Sequence, residues 1–468
     1  MMSVLFDDAL PALIQILKEW GGGAFVERGT VLRDATGRLS FFAAERLSVP
    51  AEAEAEAEVR ASVEGAPADD ESHLDPLGLR IIEHLGAYAR EDRPVVYPTE
   101  DGASPMLTSL ERIPVKVGEL FCYLVDRRIV GTGWLAEPVA TSTFGPPRVV
   151  FASLKGGVGR STALTVTAAD LARRGYNVLV IDLDLEAPGL GHLLLEDGRL
   201  PDYGVIDFLV EDGIGGVGDD LLHKFVGTSR LTSPSGGVVD VMPAIGRKSE
   251  TAPENILPKL SRAMLEDVNE TGTVSVGQQV SSMIDRIVAL GSYDAVLIDS
   301  RAGLAELAAP AVIGLGATVL LFGTAQTQTI EGYRALFAAL QLLAQRDAAQ
   351  GRSAEWRLRL RPVYAKASLN ADTADRFHDD IYELYSEYLY DAEDDDEAGV
   401  QTDPLRFTQQ DDSAPHAPLT IPFNPAFVDF DPSRQPTQLT TAFYEQSFRP
   451  FLDAVDRILE SAPDEAEN

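Results

Sequence analysis

Residues 148–184 read RVVFASLKGGVGRSTALTVTAADLARRGYNVLVIDLD. The opening RVVFAS is a β-branched and aromatic run of the kind that forms a buried strand, and LKGGVGRS after it is rich in glycine. A helix is expected from about 161 to 174, where Gly175 supplies the stop, and NVLVIDLD reads as a second buried strand. Strand, glycine loop, helix and strand in this order make a βαβ unit, so the two strands should lie parallel under helices. The same pattern continues in VVDVMPA from Val238, YDAVLIDS from Tyr293, ATVLLFGTA from Ala317 and LRLRPVYAKA from Leu358. The expected fold class is α/β: a mostly parallel sheet with helices on both faces, preceded by a smaller α+β domain. Residues 307–330 carry no charge until Glu331, yet Pro310 and the glycines at 314, 316 and 323 break them into helix end, turn and buried strand rather than a membrane span.

A glycine loop between a strand and a helix can wrap phosphate. Gly156, Gly157 and Gly159 let the backbone come close and aim its N–H groups inward, and the helix start adds a favourable dipole. Lys155, Val158 and Arg160 complete the loop. Ser161 is placed to put its hydroxyl on Mg²⁺, and Thr162 to meet the α-phosphate. Two strand ends supply carboxylates: Asp182 and Asp184 in IDLD, and Asp299 in LIDS.

These motifs resemble those of the ParA/MinD superfamily of P-loop ATPases, whose deviant Walker A loop reads K-G-G-x-G-K-[ST]. The resemblance runs from Arg148 to about Tyr333 and continues weakly through LTIPFNPAF at Leu419, which is similar to the family's I-P-x-[DN] segment and places Pro422 near the base. It implies ATP and Mg²⁺ as cofactors and a homodimer closed around the nucleotide. Lys155 matches the signature lysine, which reaches the partner's phosphates. Asp182 would stand near the Mg²⁺ shell, Asp184 would orient the attacking water, and Asp299 would hold a metal-bound water, with Gly303 of SRAG near the γ-phosphate. Lys155, Arg160, Asp184 and Asp299 are thus the candidate catalytic residues. Those for nucleotide are Gly156, Gly157, Val158, Gly159, Arg160, Ser161, Thr162 and Pro422; those for metal are Ser161, Asp182 and Asp299. The chain departs from the pattern at Arg160, where the family has lysine, and at Ala365, where it often has an adenine-reading asparagine. A guanidinium is a broad fork rather than a point charge, so a nonhydrolysing nucleotide-binding scaffold is the alternative to an ATP-dependent switch.

Composition narrows the partners. Against 39 Lys plus Arg stand 73 Asp plus Glu, a net charge of -34, which disfavours phosphate backbones and anionic lipid. The acidic N-terminus lacks the basic start of a signal peptide, and one cysteine, Cys122, precludes an internal disulfide; a cytoplasmic protein is expected. No Cys-x-x-Cys exists to hold an iron–sulfur cluster.

Residues 1–145 read as a separate α+β module, expected to carry the protein partner; 146–462 as the nucleotide-binding domain; and 463–468 as an acidic tail. Within the first, Leu10, Leu13, Ile14 and Leu17 share a helical face ended by Gly21-Gly22-Gly23. A hairpin is expected from 24–33 and 38–43, a solvated acidic linker at about 51–76, a helix near 77–90 and strands near 113–125. Later features read as structural: the tyrosines at 382, 385, 388 and 390 as helix packing rather than a kinase cluster, the acidic 391–399 as an insertion, and a C-terminal helix through Phe448, Leu452, Val455 and Leu459 as docking on its own sheet rather than on a membrane. Arg357, Arg359 and Arg361 alternate and are expected on one strand face at an edge.

Overall fold

The computed structural model describes residues 4–47, 75–141, 145–196, 198–231, 236–269, 272–391 and 405–460. The linker at 51–76 lies almost wholly outside them, as do most of the 391–399 insertion and the 463–468 tail. Two compact units divide the chain: Met1–Thr132 with Leu342–Arg352, and Gly133–Gln341 with Ser353–Asn468.

In the first unit, helix α1 (Phe6–Gly21) buries Leu10, Leu13, Ile14 and Leu17, and Gly22 at φ 79° ends it. The hairpin is β1 (Thr30–Arg33) with β2 (Leu39–Phe42), shorter than the sequence suggested. Residues Gly23–Arg28 are a helical turn, α2, that buries Phe25 and Val26. Helix α3 (Pro76–Leu85), the two-residue strand β3 (Val95–Val96), β4 (Ile113–Val117) and β5 (Leu120–Asp126) follow. The strand order β3-β2-β1-β5-β4 mixes parallel and antiparallel pairs, which makes the unit α+β.

The second unit holds an eight-stranded sheet. Its strands are β6 (Arg148–Ser153), β7 (Val178–Asp182), β8 (Gly227–Thr228), β9 (Val239–Met242), β12 (Ala295–Ala302), β13 (Thr318–Gly323), β14 (Leu360–Ala367) and β15 (Leu419–Pro422); β10 (Asp267–Asn269) and β11 (Gly272–Val274) form a small hairpin apart. The order β15-β14-β13-β6-β12-β7-β9-β8 is parallel except at β8. After β6 the chain builds outward on one side through β7, then crosses to build β13, β14 and β15 on the other. Open α/β sheets bind ligands at such a switch point, outside the carboxyl ends of the strands.

Helix α4 (Arg160–Arg173) opens directly behind the loop after β6; α5 (Val276–Val288), α6 (Thr327–Ala349), α7 (Ala371–Tyr388) and α8 (Thr441–Glu460) follow along the chain. Phe448, Phe451, Leu452 and Val455 of α8 join Val149, Phe151 and Phe322 in one buried cluster, so this helix docks on its own sheet. Among the described residues no helix is long and apolar enough to cross a membrane. Tyr385 is buried and donates to Leu360 O at 2.7 Å, and Tyr390 meets His416 Nδ1 at 2.7 Å, which is the packing role expected.

The arginine row is corrected. Glu355–Arg359 is a 3₁₀ turn anchored by buried Trp356, so only Arg361 of the three lies on a strand. That strand, β14, is internal, flanked by β13 and β15. Arg357 pairs with Asp391 and donates to Leu389 O, and Arg359 donates to Val139 O. No edge of arginines is formed.

Candidate functional site

The loop from Ser153 to Thr162 lines a cavity of about 560 Å³ at the carboxyl ends of β6, β14 and β15. Its shape depends on glycine in two places: Gly157 at φ 73° and Gly159 at φ 95° adopt the left-handed backbone that side chains disfavour. A Cβ built on Gly156, Gly157 or Gly159 would meet no protein atom within 4 Å, so the loop encloses open space rather than packing against a neighbour. Gly156, Gly157, Val158, Gly159, Arg160, Ser161 and Thr162 all line it, as does Pro422 at the far end. Ala365, Ile421, Phe427 and Phe448 make that far end apolar.

Arg160 is the side chain on which the site turns. Its guanidinium donates from Nε to Asp299 Oδ1, from Nη2 to Asp184 Oδ2 at 2.8 Å and from Nη1 to Ser153 Oγ at 3.3 Å. Both carboxylates and the arginine are less than a tenth exposed. Burial works against the charged guanidinium, but Asp299 and Asp184 outweigh it and raise the pKa of Arg160 further. Arg160 and Asp184 line the cavity while Asp299, within β12, does not.

Ser161 Oγ donates to Asp299 Oδ2 at 2.5 Å. Two hard oxygen ligands side by side at a phosphate loop fit Mg²⁺, which takes one or two protein oxygens and completes its shell with phosphate and water. Among the described residues no group of three or more His, Cys, Asp or Glu could hold a metal ion. Asp182 is committed otherwise: Oδ1 accepts Asp184 N at 3.0 Å, and Oδ2 accepts Gly189 N and Leu190 N at 3.1 Å each. It fastens the loop that presents Asp184.

Burial, then the like charge of Asp299, pushes Asp182 from 3.8 up to about 7 against those three N–H donors. Asp299 is raised by burial too, with Arg160 and Ser161 opposing. A raised carboxyl keeps in the folded state a proton that the unfolded chain has already released, so its contribution to stability falls as pH rises from about 4 to about 7. Thermal unfolding of wild type and Asp182→Asn across that range should show the wild type losing more stability with rising pH, and parallel curves would contradict it.

Lys155 sits apart. It does not line the cavity, and its exposed Nζ donates to Gln326 Oε1 at 2.8 Å. Two further residues at the site were not singled out from sequence: Arg301, which lines the cavity and pairs with Glu186, and Lys366, whose Nζ donates to Gly157 O at 2.7 Å. Arg301 stands inside the quoted SRAG motif; nothing in the residue pattern marked Lys366.

Residues 149–376 match the family model described as the CobQ/CobB/MinD/ParA nucleotide binding domain. This region of the chain belongs to that family. Solved structures similar to the chain include the MinD cell division protein of Aquifex aeolicus (18% identity, 67% of this chain and 97% of that one, TM-score 0.39). A ParA family ATPase from Chlorobium tepidum TLS is similar at 16% identity over 68% of this chain and 100% of that one, TM-score 0.38. A pNOB8 ParA bound to nonspecific DNA is similar at 15% identity over 67% and 99%, TM-score 0.37. No curated protein matches. The ParA/MinD-type domain therefore binds nucleotide, and the cavity at its phosphate loop is the candidate site.

Proposed function

We propose that the chain is a molecular switch that binds Mg-ATP at the 155–162 loop, closes into a homodimer around it, and hydrolyses it slowly to control a protein partner. The observation that carries this reading is the meeting of Ser161, Arg160, Asp184 and Asp299 at one loop, beside a Lys155 that does not line the cavity. Lys155 would exchange its hydrogen bond to Gln326 for phosphate in a second copy. Glycine N–H groups would hold the phosphates, Ser161 and Asp299 the Mg²⁺, and Pro422 with its apolar neighbours the base. Mg²⁺, when bound, supplies charge neutralisation on the phosphates. Asp184 would orient the attacking water once Arg160 releases it. The module at 1–145 would carry the partner, with a large acidic excess in the chain favouring protein over nucleic acid or lipid.

Lys155→Ala tests the dimer. Sedimentation velocity with Mg–AMPPNP, a slowly hydrolysed ATP analogue, should show wild type shifting from monomer to dimer. The variant should stay monomeric while calorimetry finds its Mg–AMPPNP affinity within a few-fold of wild type. A wild type that neither binds the analogue nor changes its oligomeric state rejects the switch.

A second reading, a nonhydrolysing nucleotide-held scaffold, is favoured by one observation: Arg160 cages both Asp184 and Asp299. Catalysis of phosphoryl transfer is almost all positioning and charge stabilisation, so a guanidinium that stayed there would block it. Phosphate release by wild type and Arg160→Lys separates the two, since turnover only in the lysine variant selects the scaffold.

A further inference from the structure

Lys366 has three unusual properties at once. It is the one non-glycine residue among those described with a positive φ, 50°, a conformation that is strained where a side chain is present. It is the extra residue of a bulge: Ala365 pairs with Ile421 and Ala367 with Pro422, which leaves Lys366 unmatched on β14. Bulges beside functional sites re-aim side chains. Here the re-aimed chain lines the cavity, and its ammonium reaches Gly157 O across from the end of β14. A strained backbone and an interrupted ladder persist where the surrounding structure holds them, and no burial explains this one, because Lys366 is exposed.

We propose that Lys366 holds the base of the bound nucleotide, an assignment that rests on the nucleotide reading above. Lys366 lines the cavity together with the apolar Ala365, Ile421, Phe427 and Phe448, and a lysine's apolar stem and cation both favour the face of a flat aromatic ring. The ligand class is a purine nucleotide. Asn424, the amide at this end, is oriented by Ala426 N donating to its Oδ1 and by its Nδ2 donating to Ser447 Oγ, both at 2.9 Å. Ala365 has no side-chain polar atom. Lys366 thus grips the face common to adenine and guanine rather than an edge that separates them.

The test uses the full-length protein with two probes that share phosphate and differ in the base, Mg–AMPPNP and Mg–tripolyphosphate. Lys366→Gly accepts φ 50° without strain, so Tm should hold or rise. Affinity for Mg–AMPPNP should fall about tenfold, that for Mg–GMPPNP by a similar factor, and that for Mg–tripolyphosphate should stay within twofold. Equal loss for analogue and tripolyphosphate, or a clear fall in Tm, would make the lysine a staple of the phosphate loop and overturn the proposal. Unchanged Mg–AMPPNP affinity would also overturn it, and a loss confined to one purine would overturn the common-face grip. A wild type that binds tripolyphosphate but no better with a base attached defeats only this inference; one that binds neither probe defeats the nucleotide reading with it.

Discussion

Arg160→Met should destabilise the protein by about 3–5 kcal/mol at pH 7.5, read as a lower urea midpoint with an unchanged slope. The variant leaves Asp184 and Asp299 buried without their shared counter-ion, and Asp182 stands close enough to add its own charge. Removing one partner of a buried ion pair costs far more than the pair contributes, because the survivors keep their desolvation penalty and lose what offset it. Asp299→Asn placed on top of Arg160→Met should therefore return part of the loss. Arg160→Lys should fall between wild type and methionine, since an ammonium keeps the charge but cannot fork to two carboxylates and Ser153 together. A midpoint unmoved by methionine would mean that the guanidinium is not seated among these carboxylates in solution.

The second large effect concerns turnover. Asp184→Ala should lower phosphate release by about 100-fold or more, the scale at which positioned proton acceptors act, with little change in Mg–AMPPNP affinity. Asp184 is suited to the task by its mounting. Asp182 fixes the backbone ahead of it, and Ala187 N donates to its Oδ1 at 3.2 Å, so the carboxylate has one orientation and only Arg160 need leave. Wild-type turnover that persists in Asp184→Ala would assign the water to another group; wild-type turnover lost in Asp184→Ala would remove the scaffold reading.

The strands, the phosphate loop and the two carboxylate-bearing strand ends were legible in the sequence because each is a local pattern. Apolar runs of strand length, glycines between strand and helix, and aspartate after four apolar residues all declare themselves within a few positions. The destinations of long side chains did not. Arg160 was placed in the loop correctly, yet its engagement of Asp184 and Asp299 depends on bringing β7 and β12 together, which no spacing expresses. Asp182 was legible as a strand-end carboxylate, but not the three backbone N–H groups that its oxygens accept. Lys366 was passed over because a positive φ leaves no trace in a non-glycine residue. The Arg357–Arg361 stretch misled for the opposite reason: alternation of arginine and leucine mimics a half-buried strand, but buried Trp356 turns the first part into a 3₁₀ helix. In the first unit, the run after Gly23 looked strand-like by composition, yet its first part is a helical turn that buries Phe25 and Val26.

The position of β6 has a consequence for how the protein comes into being. It is among the first strands of its sheet to be synthesised, yet its two partners are β12, beginning at Ala295, and β13, beginning at Thr318. Until those emerge, Val149, Val150 and Phe151 have no sheet to enter and remain an adhesive segment on a growing chain. Pairings so distant along the chain are slow to form, because loop closure is paid before any contact rewards it. Asp299 arrives with β12, so the ion cage around Arg160 closes only as the central strand is captured. A Mg-nucleotide held by Ser161 and Asp299 would need β6 and β12 already joined, so it would reward that pairing and pull stalled chains toward the native state.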